Sequence, residues 1–467
     1  MKTLLFTLLL HGLAIATANA QGTVVERFPN GPILTPQIIG ERSAFNLDRE
    51  STEAPFISIA GPSLIRVPDW VDQPLGRYYL YFAHHKGAHI RLAYSDQLEG
   101  PWNIYNPGLG VLRLADMADL IEDHIASPDV HVDQEHQQIK MYFHGPRKDV
   151  AFDQRTWLAT SDDGLRFQLH TDELLGEAYF RTFRWGGFDY TPARLGPIYR
   201  SIDGAHNFEL GPTLFDSNFR HFAVRVHNNR GYFFYSRKTE NPERIRLITV
   251  DLSDDWQQWA ISPSSVVLTP TESYETSHGA KVLDPCLYEE DGQNYLLYSI
   301  SDERGIAIAK LGVTDWQGLN VNEIRARSLA PYRVANSLLS SGQKPFLDSD
   351  ITIQQVPSDV QGSLPLLTAM ADVRSSGHAR FMSFSVSRRT RVWVAHDDRF
   401  ATRPGWLLNW QTAGSQVNLA DGPQSWPMTL FYKDFGPGEI KLGGNVADGA
   451  PLAPGRSMFC VFLARTP

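Results

Sequence analysis

One short pattern repeats along residues 50–315, and it limits the fold more than any other feature. An apolar strand opens close to a proline, a polar turn follows, and a second strand rich in Tyr and Phe comes next. A third strand then ends in Ser-Asp or Asp-Gly. The first copy runs Pro62–Arg66, Arg77–Ala83 and His89–Ser95, and Trp102 follows its closing turn. The second runs Pro128–Val132, Ile139–His144 and Arg155–Thr160, then Ser161 to Gly164 and Phe167. The fourth runs Phe222–Val226, Gly231–Ser236 and Ile245–Val250, and the fifth Asp284–Tyr288, Asn294–Ser299 and Ile306–Leu311. The third is less regular, with best strands at Phe180–Phe188, Tyr190–Leu195 and Ile198–Arg200. Strands this short, alternating or aromatic and parted by Asp, Gly and Asn turns, predict an all-β chain. A unit of roughly 50–60 residues repeated around an axis predicts a five-bladed β-propeller, because ring packing covers both apolar faces of each small sheet. The competing architecture is a sandwich of many hairpins.

The pattern divides the chain. Residues 1–20 read as a signal peptide, with Lys2, an apolar stretch from Leu4 to Ile15 and Ala-Asn-Ala before the expected cut. That stretch is too short for a membrane span, and no later one is long and apolar enough to be a transmembrane segment. A secreted protein, extracellular or periplasmic, is therefore expected. The propeller is placed at 21–330, with residues 23–50 wrapping it or adding its closing strand. A linker is placed at 331–345. From 346 to 467 the style changes to glycine-punctuated strands, which read as a small C-terminal β-sandwich. Formal charge is −9, which argues against a nucleic-acid partner. Cys286 and Cys460 are the only cysteines. Export permits them a disulfide that would join the two domains, and two buried free thiols are the alternative.

In a propeller, first strands line the central channel, so polar residues at strand ends near it are the functional candidates. Asp129 follows Pro128 at the start of a first strand, and Asp284 before Pro285 is read as its counterpart in the fifth copy. His85 and His144 end second strands. His124, His221 and His278 precede first strands. Histidines converging from several blades suit a base, an acid or a ligand, although each alone reads equally as a hydrogen-bonded structural residue. Arg155, Arg225 and Arg237 fall beside the expected rim and suit a carboxylate or sulfate on a sugar, or an ordinary salt bridge. Trp185 and Tyr190 lie in an aromatic segment suited to stacking on sugar rings or to packing a blade centre.

Residues 55–311 resemble the five-bladed propeller superfamily of glycoside hydrolase families 43, 32 and 117 and the secreted proteins grouped near them. Ala126-Ser-Pro-Asp-Val130, Leu283-Asp-Pro-Cys286 and Glu289 to Tyr295 carry the likeness. The stretch from Arg391 through Trp406, with Tyr432 to Phe435 and Lys441 to Asn445, is similar to an accessory domain of secreted polysaccharide-degrading enzymes. The resemblance implies a glycoside hydrolase acting on a polysaccharide or oligosaccharide, acidic or sulfated given the arginines. It assigns Asp129 as an auxiliary carboxylate and Glu177 as the nearest match to the acid. It also suggests His278 beside a central calcium or other divalent metal. Where family 43 has its Asp-Pro base, this chain has Gly61-Pro62. Hydrolysis needs two suitably separated carboxyl groups. The missing base therefore opens an alternative: a polysaccharide lyase that cleaves a uronic-acid glycan such as ulvan, with His144 or His124, Tyr190 and Arg237 carrying the β-elimination. A non-catalytic glycan-binding protein is the third reading.

Overall fold

The computed structural model describes residues 23–37, 58–107, 109–170, 173–252, 255–313, 319, 321–335, 337–377, 380–451 and 454–466. The expected signal peptide lies outside them. Among the described residues no helix is long and apolar enough to cross a membrane. The architecture is almost entirely antiparallel β-sheet.

Five small sheets follow one another along the chain. Sheet one is built on Ala60–Arg66, Tyr78–Ala83, His89–Ser95 and Asn103–Tyr105. Sheet two is built on Ala126–Asp133, Gln138–Pro146, Gln154–Ser161 and Gln168–Leu169. Sheet three holds Phe183–Trp185, Phe188–Pro192, Pro197–Ser201 and Glu209–Thr213, so its strands are shifted from the expected ones. Sheet four holds Phe219–His227, Arg230–Arg237, Ile245–Asp251 and Ser265–Leu268. Sheet five takes Val282–Glu290, Gln293–Ile300 and Gly305–Val313, and its outer strand is the N-terminal Thr23–Arg27.

Alternation within each middle strand explains why the sheets form a ring. In Tyr78–Ala83 every residue is buried. Tyr79 and Tyr81 pack with Met141 and Phe143 of sheet two, while Leu80 and Phe82 pack with Leu297 and Ile308 of sheet five. Sheet two meets sheet three through Tyr142, Leu158, Phe180 and Tyr199. Sheet three meets sheet four through Tyr190, Ile198, Phe233 and Tyr235, and sheet four meets sheet five through Phe234, Leu247, Leu296 and Tyr298. Five interfaces thus lead from sheet one back to sheet one, a propeller-like arrangement. Each fully buried aromatic contributes roughly 1.5–3 kcal/mol of hydrophobic stabilisation. Residues of four first strands, with Arg181 and Thr182 just ahead of the fifth, line one central cavity of about 310 Å³.

The ring is fastened where its first strand meets its last sheet. Arg27 donates from Nε and Nη2 to both oxygens of Glu275, at 2.7 and 3.0 Å. Glu275 is fully buried and also accepts from the Tyr298 hydroxyl. Removing one partner of such a pair leaves an uncompensated buried charge. Arg27→Ala is therefore expected to lower unfolding stability by about 3 kcal/mol in urea titration. A change within error would show that this clasp contributes nothing.

The C-terminal part stacks a three-stranded sheet on a seven-stranded one around a single core. The small sheet is Val321–Ala326, Met382–Val386 and Gly438–Leu442. The stretch expected as a linker carries a strand instead: Arg333–Val334 pairs with Leu366 and Leu367 in the larger sheet. Val321 is also tied to the ring, its N–H donating to Asn228 Oδ1. The two cysteines are free thiols. Cys286 lines the central cavity and Cys460 is buried in the C-terminal core, so no bridge joins the domains.

Candidate active site

Four of the five first strands carry the same irregularity. Each is bulged against its second strand: between Ala60 and Ser63, Ala126 and Asp129, Arg220 and Ala223, and Leu283 and Cys286. The residue just inside each bulge has a left-handed backbone: Gly61 at φ 62°, Ser127 at 52°, His221 at 54° and Asp284 at 49°. Such a conformation is costly for residues other than glycine, and bulges re-aim side chains beside functional sites. Register makes Gly61, Ser127, His221 and Asp284 equivalent. Asp129 lies two residues further along, level with Ser63, Ala223 and Cys286. The expected equivalence of Asp129 and Asp284 is therefore wrong by two positions.

The bulges gather one cluster at the end of the ring where the first strands begin, its mouth. Asp284 is fully buried, with its Oδ1 2.6 Å from His221 Nδ1. Its Oδ2 accepts from Ser299 Oγ at 3.0 Å and from the Gly61 N–H at 3.2 Å. Burial opposes its charge, but His221, Arg220 and Ser299 hold its carboxyl well below the usual range. The Tyr179 ring lies between two histidines, with ring centres 4.9 Å from His221 and 4.3 Å from His144. His124 stands edge-on to His144 at 5.9 Å, and its Nδ1 is 2.8 Å from Asp123. Opposite, His85 Nδ1 lies 3.3 Å from Glu303, which also accepts from Ser58 Oγ at 2.8 Å. Burial pushes His144 well below the ordinary histidine range, helped by the neighbouring His124, His221, Arg181 and Arg194. It also lowers His124, while Glu303 raises His85. Burial raises the Tyr179 phenol, so it keeps its proton.

His85, His124, His144, His221 and Asp284 thus come together as expected. The other candidates do not join them. Asp129 sits deeper in the central cavity, 2.9 Å from His131 and accepting from the Thr182 N–H at 2.7 Å. Tyr190 is buried among Phe183, Trp185, Trp256 and Trp259 between sheets three and four, because its strand, Phe188–Pro192, begins two residues earlier than the sequence suggested and sets it in mid-strand. Trp185 packs in that same group at the far end of its strand. Glu177 is bound by Arg155, which also holds Asp153. Arg225 is drawn away by Glu289 and Asn294. Arg237 ends a strand on the mouth side, but it pairs with Asp216 and lies over the Phe219 ring. His278 is exposed and bonds Ser277 and Ser301. Among the described residues no three His, Cys, Asp or Glu side chains are placed to hold a metal ion, so His278 does not fit a calcium site.

Three residues of the cluster escaped the sequence reading: Tyr179, Glu303 and Arg194. Tyr179 stands ahead of a first strand, as His124 does, so the position that singled out His124 also selects Tyr179. Arg194 lies in the turn between two strands of sheet three, anchored by its backbone N–H to Ala178. Its guanidinium makes no ion pair among the described residues, and it acts on both His144 and Tyr179.

No family model matches the chain. An uncharacterized protein of Acanthamoeba polyphaga mimivirus is 28% identical over 332 residues, which is 62% of this chain and 90% of that protein. Among solved structures, a glycosyl hydrolase from Bacteroides ovatus aligns with a TM-score of 0.45 at 14% identity, covering 61% of this chain and 93% of that one. A thermostable family-43 glycoside hydrolase aligns at 0.41 and 13% identity, covering 56% and 91%. An alpha-L-arabinofuranosidase from Lactobacillus brevis aligns at 0.40 and 14% identity, covering 55% and 91%.

Proposed function

We propose that the chain is a secreted carbohydrate-active enzyme that cleaves a uronic-acid-containing glycan by β-elimination at one mouth of a closed five-bladed β-propeller. The observation that carries this reading is Tyr179 held between His144 and His221 with Asp284 behind His221. A carboxylate at Nδ1 keeps that nitrogen protonated and leaves Nε2 as a base. His221 takes the proton from C5 of the uronate, and the electron pair forms the C4–C5 double bond. The C4–O bond breaks, and the protonated Tyr179 phenol donates to the leaving oxygen. Arg194 faces the sugar carboxylate and lowers the cost of the carbanionic charge at C5.

Hydrolysis is the second reading, supported by two carboxylates at the mouth, Asp284 and Glu303. It ranks lower because both are already engaged, Asp284 by three donors and Glu303 by Ser58 and His85. Incubation with acidic and neutral polysaccharides separates the readings. New reducing ends together with the ultraviolet absorbance of the unsaturated product are expected on uronate polymers. Reducing ends without that absorbance would establish hydrolysis and end the elimination reading. Binding with neither signal on any substrate would favour a glycan-binding protein.

A further inference from the structure

A separate cleft lies far from this site. It holds about 520 Å³ between sheets three and four of the ring and the C-terminal domain. Trp185 and Phe188 line one wall, and Ile324, Leu329 and Pro331 the other. His221 lies near one end of the strand Phe219–His227, and Asn229, which lines the cleft, lies in the turn beyond the other end; the six steps from His221 to His227 alone span about 20 Å at the usual rise. Gly186 and Gly187 turn the hairpin at its edge, both with positive φ and open space where a side chain would be. Trp185 and Phe188 beside them are partly exposed.

Charge distinguishes this region. Arg200, Arg325 and Arg333 line the cleft against Asp255 alone. Arg200 lies over the rings of Trp256 and Phe188, at 4.2 and 4.6 Å. A second groove of about 230 Å³ shares Arg325 and Ala326 with the cleft and adds Arg327, Arg380 and Lys441, with no acidic residue in its lining. Lys441 pairs with Glu439. Arg325, Arg327, Arg333 and Arg380 make no ion pair among the described residues. A chain of net charge −9 thus concentrates guanidinium groups along one track, where Arg200 pairs with Glu209.

We propose that the cleft and this groove form one binding track for an acidic polysaccharide, separate from the site of chemistry. Flat aromatic faces suit sugar rings, and planar guanidinium groups suit carboxylate or sulfate in bidentate geometry. Two contiguous depressions suit a polymer rather than a small ligand. Nucleic acid fits less well, since its dense phosphate charge is repelled by the acidic remainder of the chain. The choice of polymer rests on the reading of this chain as acting on glycans.

Affinity electrophoresis and calorimetry of the full chain test the track. The probes are polygalacturonate, alginate and chondroitin sulfate, with arabinoxylan as the neutral control and single-stranded DNA as a competing polyanion. Wild type is expected to bind at least one acidic glycan in a salt-sensitive way and to ignore arabinoxylan. The exposed triple variant Arg325→Ser, Arg327→Ser, Arg380→Ser should weaken that binding by at least about tenfold. Tyr179→Phe should bind as wild type does. Failure to bind all three acidic glycans, unaltered binding by the triple variant, or tighter binding of DNA would each overturn the proposal. Intact binding without any turnover would instead refute the catalytic reading and leave the track standing.

Discussion

Replacement of Tyr179 by Phe is expected to cut turnover of a cleavable glycan by about 10²–10³-fold while shifting Tm by no more than about 2 °C. The substitution removes one hydroxyl and keeps the ring that packs against His144 and His221. Tyr179 is only half buried, so the lost phenol leaves no large cavity. A general acid gains its effect in the transition state, so kcat should fall while KM stays nearly constant. Burial raises the phenol above the ordinary tyrosine range, so wild-type activity should show no alkaline loss below that range. Turnover like that of wild type in the Phe variant would remove Tyr179 from the chemistry. The elimination reading would then have no proton donor. A large fall in Tm with the loss of activity would point to packing instead.

Regular strands were legible from the sequence because each middle strand alternates large residues between two interfaces. Tyr78–Ala83 and Gln293–Ile300 show this directly, and their boundaries lie within a residue or two of expectation. The outer strand of sheet five was less visible, since its partner is almost the whole ring away in sequence. The histidine set was legible because recurrence at blade positions survives small errors of register. Asp129 was misplaced by the bulge, since a one-residue irregularity changes which side chain faces the mouth, and no composition rule reports it. Tyr190 was chosen over Tyr179 for a related reason. The third copy lacks clear alternation: its pattern suggests strands at Phe180–Phe188 and Tyr190–Leu195, whereas the structure has Phe183–Trp185 and Phe188–Pro192, which puts Tyr190 in mid-strand between two sheets. Arg225 and Glu177 look free in sequence, but strand pairing brings Arg155 to Glu177, and the packing of neighbouring sheets brings Glu289 to Arg225. Arg194 was invisible because its value lies in what does not pair with it.

Asp284→Asn should have the other large effect, on both turnover and stability. In wild type Asp284 Oδ1 lies 2.6 Å from Nδ1 of His221, which favours the proton on Nδ1 and leaves the lone pair on Nε2. An amide in the same place still accepts from Ser299 and Gly61, but it presents donor hydrogens to His221 or loses those two bonds. The imidazole then favours the other tautomer, with a hydrogen on Nε2 where a base is needed. A loss of about 10³-fold in kcat is expected, with the residue and its ring still in place. Stability should fall by about 3 kcal/mol near neutral pH, the scale for breaking a fully buried charge pair. The pH dependence gives an independent check. Burial disfavours the Asp284 charge, yet His221, Arg220 and Ser299 depress its folded pKa below the ordinary value. Its contribution to stability is therefore complete above the unfolded pKa of about 3.9 and is lost as pH falls through the lower folded value. Urea titrations of the two proteins should differ by a constant amount from pH 5 to 8 and converge on acidification below that window. If the Asn variant is as stable as wild type at pH 7, the carboxylate is not paired as the 2.6 Å contact indicates. If stability falls but turnover is kept, Asp284 holds the mouth together without setting the state of His221, and the base must be sought in His144 or His124.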